Sequence, residues 1–129
     1  MQTILLVDNE HNMLEIGKET LNMFGYKVIP RSDAESALSV IKEGTDLDLV
    51  ITDYRMPGMN GVEFLTILRK TLPSVPVIVL TGYSSVETYL ESLSLGAFEY
   101  LNKPFKKREL YRTVRSALQR PTDANALLA

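Results

Sequence analysis

The sequence predicts a doubly wound α/β domain, a five-stranded parallel sheet with helices on both faces, for which the strand order 2-1-3-4-5 is assumed. Three observations predict it: short apolar runs recur along the chain, segments with helical apolar spacing separate them, and capping residues and glycines fall between the two. Alternation of strand and helix with short connections requires right-handed crossovers, which place helices on both sides of a parallel sheet.

The elements follow in order. Ile4 to Val7 is the first apolar run, and Leu14, Gly17, Leu21 and Phe24 then recur at helical spacing up to a stop at Gly25. Tyr26 to Ile29 is the second strand. Ser32, three residues before Glu35, has capping spacing for a helix through Ala34, Ala37, Leu38 and Ile41 that ends at Gly44. Leu47 to Ile51 is the third strand, followed by Asn60 and Glu63 as a second capping pair and a helix through Phe64, Leu65 and Leu68. Val75 to Leu80 is the fourth strand. Ser84 with Glu87 opens a helix through Val86, Leu90 and Leu93, which stops at Gly96. Ala97 to Leu101 is the last strand, and Leu110, Val114, Ala117 and Leu118 mark the last helix. Four of the five runs are rich in β-branched or aromatic residues, as strands require.

Composition narrows the function classes. A chain of 129 residues that is 45% hydrophobic suffices for one core, so a single domain over 1–120 is expected, with 121–129 a tail or the start of a linker to an output domain. A net charge of −2 from 14 basic and 16 acidic residues gives no general attraction to nucleic acid or anionic lipid, so no direct nucleic-acid binding and no membrane association are expected. The absence of cysteine excludes disulfides and thiolate metal sites. The amino terminus lacks a cationic region and a long apolar stretch, and a soluble, cytoplasmic protein is expected.

In open α/β sheets ligands bind beyond the carboxyl ends of the strands. The first strand ends in Asp8-Asn9-Glu10, the third in Thr52-Asp53, the fourth in Thr81-Gly82, and the fifth leads through Asn102 to Lys103-Pro104. The second ends in Ile29-Pro30-Arg31 and offers no comparable group, as suits an edge strand. Carboxylates brought together repel, and a hard divalent cation with room for water and phosphate, Mg²⁺, is the natural remedy. A carboxylate nucleophile, a cation, a lysine and a hydroxyl meet the needs of phosphoryl transfer, with an aspartyl phosphate as product.

Through Ile4-Leu5-Leu6-Val7-Asp8-Asn9-Glu10, the run Asp53-Tyr54-Arg55-Met56-Pro57-Gly58-Met59-Asn60-Gly61, Leu80-Thr81-Gly82 and Lys103-Pro104-Phe105, the chain resembles the receiver domain of bacterial two-component response regulators, whose fold is flavodoxin-like. The resemblance spans residues 2 to about 119. It implies that Asp53 is the phosphoacceptor, that Asp8, Asn9, Asp53 and the backbone carbonyl of Arg55 hold Mg²⁺, and that Lys103 contacts the phosphoryl oxygens. It further implies a cis Lys103-Pro104 bond, a switch in which the Thr81 hydroxyl moves to the phosphoryl group and Tyr100 turns inward, and activity limited to the domain's own aspartyl phosphorylation and dephosphorylation. The implied partners are a sensor histidine kinase or phosphotransfer protein, a second copy through the face of the fourth helix, fifth strand and fifth helix, and a C-terminal output domain.

The family usually places two adjacent acids after the first strand, and Asn9 stands at the second. Mg²⁺ affinity is therefore expected to fall rather than vanish, since an amide still offers a carbonyl oxygen. For Glu10, two roles stand: charge for the pocket, or a first-turn acid favoured by the helix dipole. Tyr100 reads either as a switch or, alternating with Phe98, as a core aromatic. His11 is read as surface, and Lys106-Lys107-Arg108 as the solvated start of a helix, with docking of an acidic partner as the alternative. The competing functions are a pseudo-receiver disabled by Asn9 that binds a partner constitutively, an aspartate-nucleophile phosphatase, and a flavodoxin-like cofactor binder. Arg55 argues against the phosphatase, and a first loop without Ser/Thr/Gly-rich composition argues against the flavin site.

Arg55 and Tyr83 follow Asp53 and Thr81 by two residues, where the family tunes water access, and bulk there is expected to prolong the phosphorylated state. Replacing both with small residues should speed dephosphorylation, followed by loss of the phosphoprotein mass with time; an unchanged rate would refute the idea.

Overall fold

The computed structural model describes residues 1–82 and 85–119. The elements are β1 (Thr3–Val7), α1 (His11–Met23), β2 (Lys27–Arg31), α2 (Ala34–Lys42), β3 (Leu49–Thr52), α3 (Gly61–Thr71), β4 (Val77–Thr81), α4 (Val86–Ser94), β5 (Glu99–Asn102) and α5 (Lys107–Gln119). All pairings are parallel, as the sequence predicts, and the order is the assumed β2-β1-β3-β4-β5. The expected tail at 121–129 lies outside the described residues.

Side chains alternate across a strand, so each central strand feeds two cores. Leu5, Val7, Val50, Val77 and Val79 point to one face, where Ala34, Ala37 and Val40 of α2 and Phe64, Leu65 and Leu68 of α3 cover them. Ile4, Leu6, Leu49, Ile51, Ile78 and Leu80 point to the other, beneath Leu21 of α1 and Leu110, Val114 and Ala117 of α5. Burial on both faces explains why these strands are continuously apolar rather than alternating. β2 lies at the edge and contains Pro30, a residue that sheets confine to such positions because it cannot donate to a ladder.

Strand register delivers the site. Val7 pairs with Thr52, Thr52 with Val79 and Thr81 with Asn102, so the carboxyl ends of β1, β3, β4 and β5 lie together. The polar residues Thr52, Thr81 and Asn102 belong to the strands themselves, which begin and end somewhat later than their apolar runs.

Two caps differ from expectation by one residue. Asp33, not Ser32, caps α2: its backbone is extended, as an N-cap requires, and its carboxylate accepts from the Ser36 amide at 2.7 Å. Ser85 caps α4 in a reciprocal pair with Thr88, whereas the expected Ser84 lies outside the described residues. Asn60 caps α3 as expected, accepting from the Glu63 amide. Gly25, Gly44 and Gly96 end helices at φ of 94°, 79° and 97°, a left-handed conformation that glycine adopts without steric cost.

α4 departs further. Its apolar spacing predicts a stripe of Val86, Leu90 and Leu93, but Val86 is 76% and Leu90 57% exposed, while Ser92 is fully buried. The inward positions are filled by Thr88 and Ser92, whose hydroxyls find partners in Tyr100 and the Tyr89 carbonyl. Apolar spacing identifies residues that share a face; it does not establish that the face is covered.

Candidate functional site

Three backbone hydrogen bonds extend the sheet beyond its strands and place Asp8, Asp53 and Lys103. The Asp8 amide donates to Arg31 O at 3.1 Å, the Asp53 amide to Val7 O at 3.0 Å, and the Lys103 amide to Thr81 O at 2.9 Å. Asp8 and Asp53 thus stand side by side at the ends of β1 and β3, and Lys103 reaches them from the end of β5. The Lys103 ammonium lies 2.6 Å from Asp8 Oδ2, 2.8 Å from Asp53 Oδ2 and 3.4 Å from Glu10 Oε1. The other oxygens are held by the chain itself: Asp8 Oδ1 accepts from the Glu10 amide at 2.9 Å, and Asp53 Oδ1 from the Arg55 amide at 3.1 Å. The Lys103-Pro104 bond is cis, as expected.

The charges do not balance. Asp8, Glu10 and Asp53 gather around one ammonium, which leaves two negative charges over. Burial raises the carboxyl pKa of Asp8 above the ordinary range, against the opposing pull of hydrogen bonds from Lys103 and the Glu10 amide and of the lysine charge. Burial would lower the pKa of Lys103, but hydrogen bonds to Asp53 and Asp8 outweigh it and raise the pKa. One lysine therefore undercompensates the pocket. Carboxylate oxygens of Asp8, Glu10 and Asp53 lie within 4.8 Å of one another, and three hard anionic ligands with two excess charges fit a divalent ion such as Mg²⁺.

Asn9 is exposed and, with Glu10, Asp53 and Arg55, lines a cavity of about 610 Å³ that runs from the carboxylates along the β3–α3 loop to Thr88 and Glu91 of α4. Thr81 is fully buried at the end of β4. Tyr100 is buried among core residues and its hydroxyl pairs with the Thr88 hydroxyl at 2.9 Å, while its ring meets Tyr89 edge-on at 5.6 Å. Tyr83 lies outside the described residues. His11 and Lys106 to Arg108 are exposed, in keeping with a surface reading.

Glu10 resolves in favour of the pocket. It occupies the N-cap of α1 but makes no side-chain cap bond, and its carboxylate turns towards Lys103. The sequence reading missed Tyr54 and Glu91, whose side chains hydrogen-bond 37 positions apart beside Asp53. No local pattern signals that pair, since Tyr54 and Glu91 lie 37 positions apart on different elements.

Comparison with known proteins agrees with this geometry. The response regulator receiver domain profile matches residues 4–115. The transcriptional regulatory protein CpxR of Escherichia coli K12 is 41% identical over 120 residues, which cover 93% of this chain and 50% of CpxR. The response regulator protein FleR of Pseudomonas aeruginosa is 36% identical over 83% of this chain and 22% of its own length. The chain therefore spans about half the length of CpxR and less of FleR. Among solved structures, a receiver domain protein from Clostridium thermocellum superposes with a TM-score of 0.88 at 32% identity, covering the whole of both chains. TrrA of Thermotoga maritima, solved in complex with Mg²⁺-BeF, gives 0.82 at 37% identity over 92% of this chain and all of its own. Among the described residues no helix is long and apolar enough to cross a membrane. This chain belongs to the response regulator receiver domain family of two-component signalling.

Proposed function

We propose that the chain is a two-component switch that takes a phosphoryl group onto Asp53 from the phosphohistidine of a sensor kinase or phosphotransfer protein. The observation that supports this most is the shared ammonium of Lys103, which holds the Asp8 and Asp53 carboxylates together at adjoining strand ends. In the transfer, a carboxylate oxygen of Asp53 forms a bond to phosphorus as the donor P–N bond breaks, and the imidazole leaves with a proton. Asp8, Asn9, Asp53 and the backbone carbonyl of Arg55 would hold Mg²⁺, with Glu10 supplying the charge that Asn9 lacks; the bound ion neutralises charge on the transferring group. Lys103 then exchanges its contact with Asp53 Oδ2 for one with a phosphoryl oxygen.

The buried Thr81 hydroxyl is the proposed donor to a second phosphoryl oxygen, and Tyr100 the residue that follows its movement. Because Tyr100 is bonded to Thr88, any such movement bears directly on α4. The exposed Val86 and Leu90 beside Tyr89 make the α4, β5 and α5 face the proposed site of homodimer contact. A C-terminal output domain joined through 121–129, and a cytoplasmic location, complete the reading. The pseudo-receiver alternative has no observation in its favour, since Glu10 restores the carboxylate count in the pocket.

Incubation with a small-molecule phosphodonor and Mg²⁺ should add one phosphoryl mass, and Asp53→Asn should abolish it. No adduct, or one that survives the substitution, would refute the assignment. A second outcome follows from the raised pKa of Asp8. A carboxyl whose pKa is higher in the folded state favours folding when protonated and opposes it as pH rises through that value. Without metal at pH 7, Asp8→Asn should therefore be more stable than the native chain in urea unfolding, and the difference should shrink as pH falls towards about 4, the ordinary carboxyl value of the unfolded chain, and be absent below it.

A further inference from the structure

We propose that the hydrogen bond from the Tyr54 hydroxyl to the Glu91 carboxylate is a latch that holds α4 in its resting position, so that the residue next to the phosphoacceptor sets how readily the signalling helix moves. The inference rests on the receiver reading and adds to it a restraint independent of Thr81 and Tyr100.

Four observations converge on this pair. First, α4 is docked chiefly by polar contacts, beside one edge-on ring contact of Tyr89 with Tyr100. Its apolar Val86 and Leu90 face outward, and its inner face presents Thr88 and Ser92. A helix held this way loses little apolar burial when it shifts, so individual hydrogen bonds weigh heavily in its position. Second, Glu91 and Thr88 lie three residues apart on one face, and each reaches a tyrosine hydroxyl from a different strand end, Tyr54 after β3 and Tyr100 in β5. The two bonds fix both rotation and translation of α4.

Third, the Tyr54 ring has a reserved place. It is 7% exposed, and a Cβ on Gly61 would stand 2.3 Å from its Cδ1 and 2.5 Å from its carbonyl oxygen, so the first residue of α3 must be glycine for the ring to lie where it does. The hydroxyl is thereby aimed by the β3–α3 loop and not by chance surface contact. Burial, with the adjoining carboxylate, raises the phenol pKa, so Tyr54 stays protonated and remains a donor at any physiological pH. Fourth, Asp53 and Tyr54 are consecutive, and Asp53, Tyr54 and Glu91 line one cavity. A change of backbone at the phosphoacceptor is a change in where the latch hydroxyl points.

Tyr54→Phe removes the donor and keeps the ring in its place, and Glu91→Ala removes the acceptor at an exposed helical position. The test measures amide hydrogen exchange over 86–94 in the metal-free full chain, together with affinity for beryllofluoride in the presence of Mg²⁺. Each variant should exchange about tenfold faster in α4, equivalent to about 1.4 kcal/mol, with amides of β1, β3 and β4 unchanged. Each should also bind beryllofluoride about tenfold more tightly, and the double variant should add nothing beyond either single change. Native α4 exchange and native beryllofluoride affinity in both folded variants would overturn the latch, as would additive effects in the double variant. A native chain that takes up no beryllofluoride would instead sink the receiver reading, and α4 exchange would still decide whether the latch exists.

Discussion

One ammonium between two buried carboxylates is the constraint on which this molecule depends. Lys103 meets Asp8 and Asp53 only because three parallel strands end at the same level, and β4 lies between β3 and β5 with Thr81 as its final residue. A slip of one residue in any strand would turn its side chains to the opposite face and exchange the two cores. The continuously apolar strands that fill both cores are therefore also what aligns the site. The same arrangement is electrostatically incomplete: burial disfavours the charge on Asp8 even with the lysine in contact. Such a pocket favours whatever brings positive charge to it, and then a phosphoryl group that the charge can bind.

Stability is distributed unevenly around this centre. The central strands and α3 and α5 bury large apolar side chains, whereas α4 turns two of its larger apolar residues to solvent and rests on hydroxyls and a carboxylate. A switch needs a rigid part that defines the chemistry and a loosely held part that responds. The division here falls between Asp53, fixed by the ladder bond to Val7, and α4, reached through Tyr54 and Tyr100. The apolar outer face of α4 follows from the same design, because residues that do not dock the helix remain available for a partner.

The fold and the clustering of Asp8, Asp53 and Lys103 were legible in the sequence because both follow from short-range pattern. Apolar runs located the strands, glycines marked helix ends, and the polar residue after each run located Asp8, Asp53, Thr81 and Lys103. What escaped depends on choices between near neighbours or on distant pairs. Ser32 and Asp33 are both competent caps, and only the backbone at Asp33 decides between them. The spacing of Val86 and Leu90 is truly helical, yet which side of the helix meets the sheet is set by Thr88, Ser92 and their partners on other elements. Glu10 had two equally reasonable roles until Lys103 was seen beside it, and Tyr54 with Glu91 carried no signal at all.

The carboxylates, depleted by Asn9 and supplemented by Glu10, are proposed to form one divalent-ion site at Asp53. Titration of the native chain with Mg²⁺, followed through the amide resonances of Asp8, Asp53 and Lys103, tests it most directly. The account predicts saturable binding to a single site, weakened by Asp8→Asn and by Glu10→Gln and tightened by Asn9→Asp. Shifts that fail to saturate, or an affinity indifferent to all three substitutions, would contradict it.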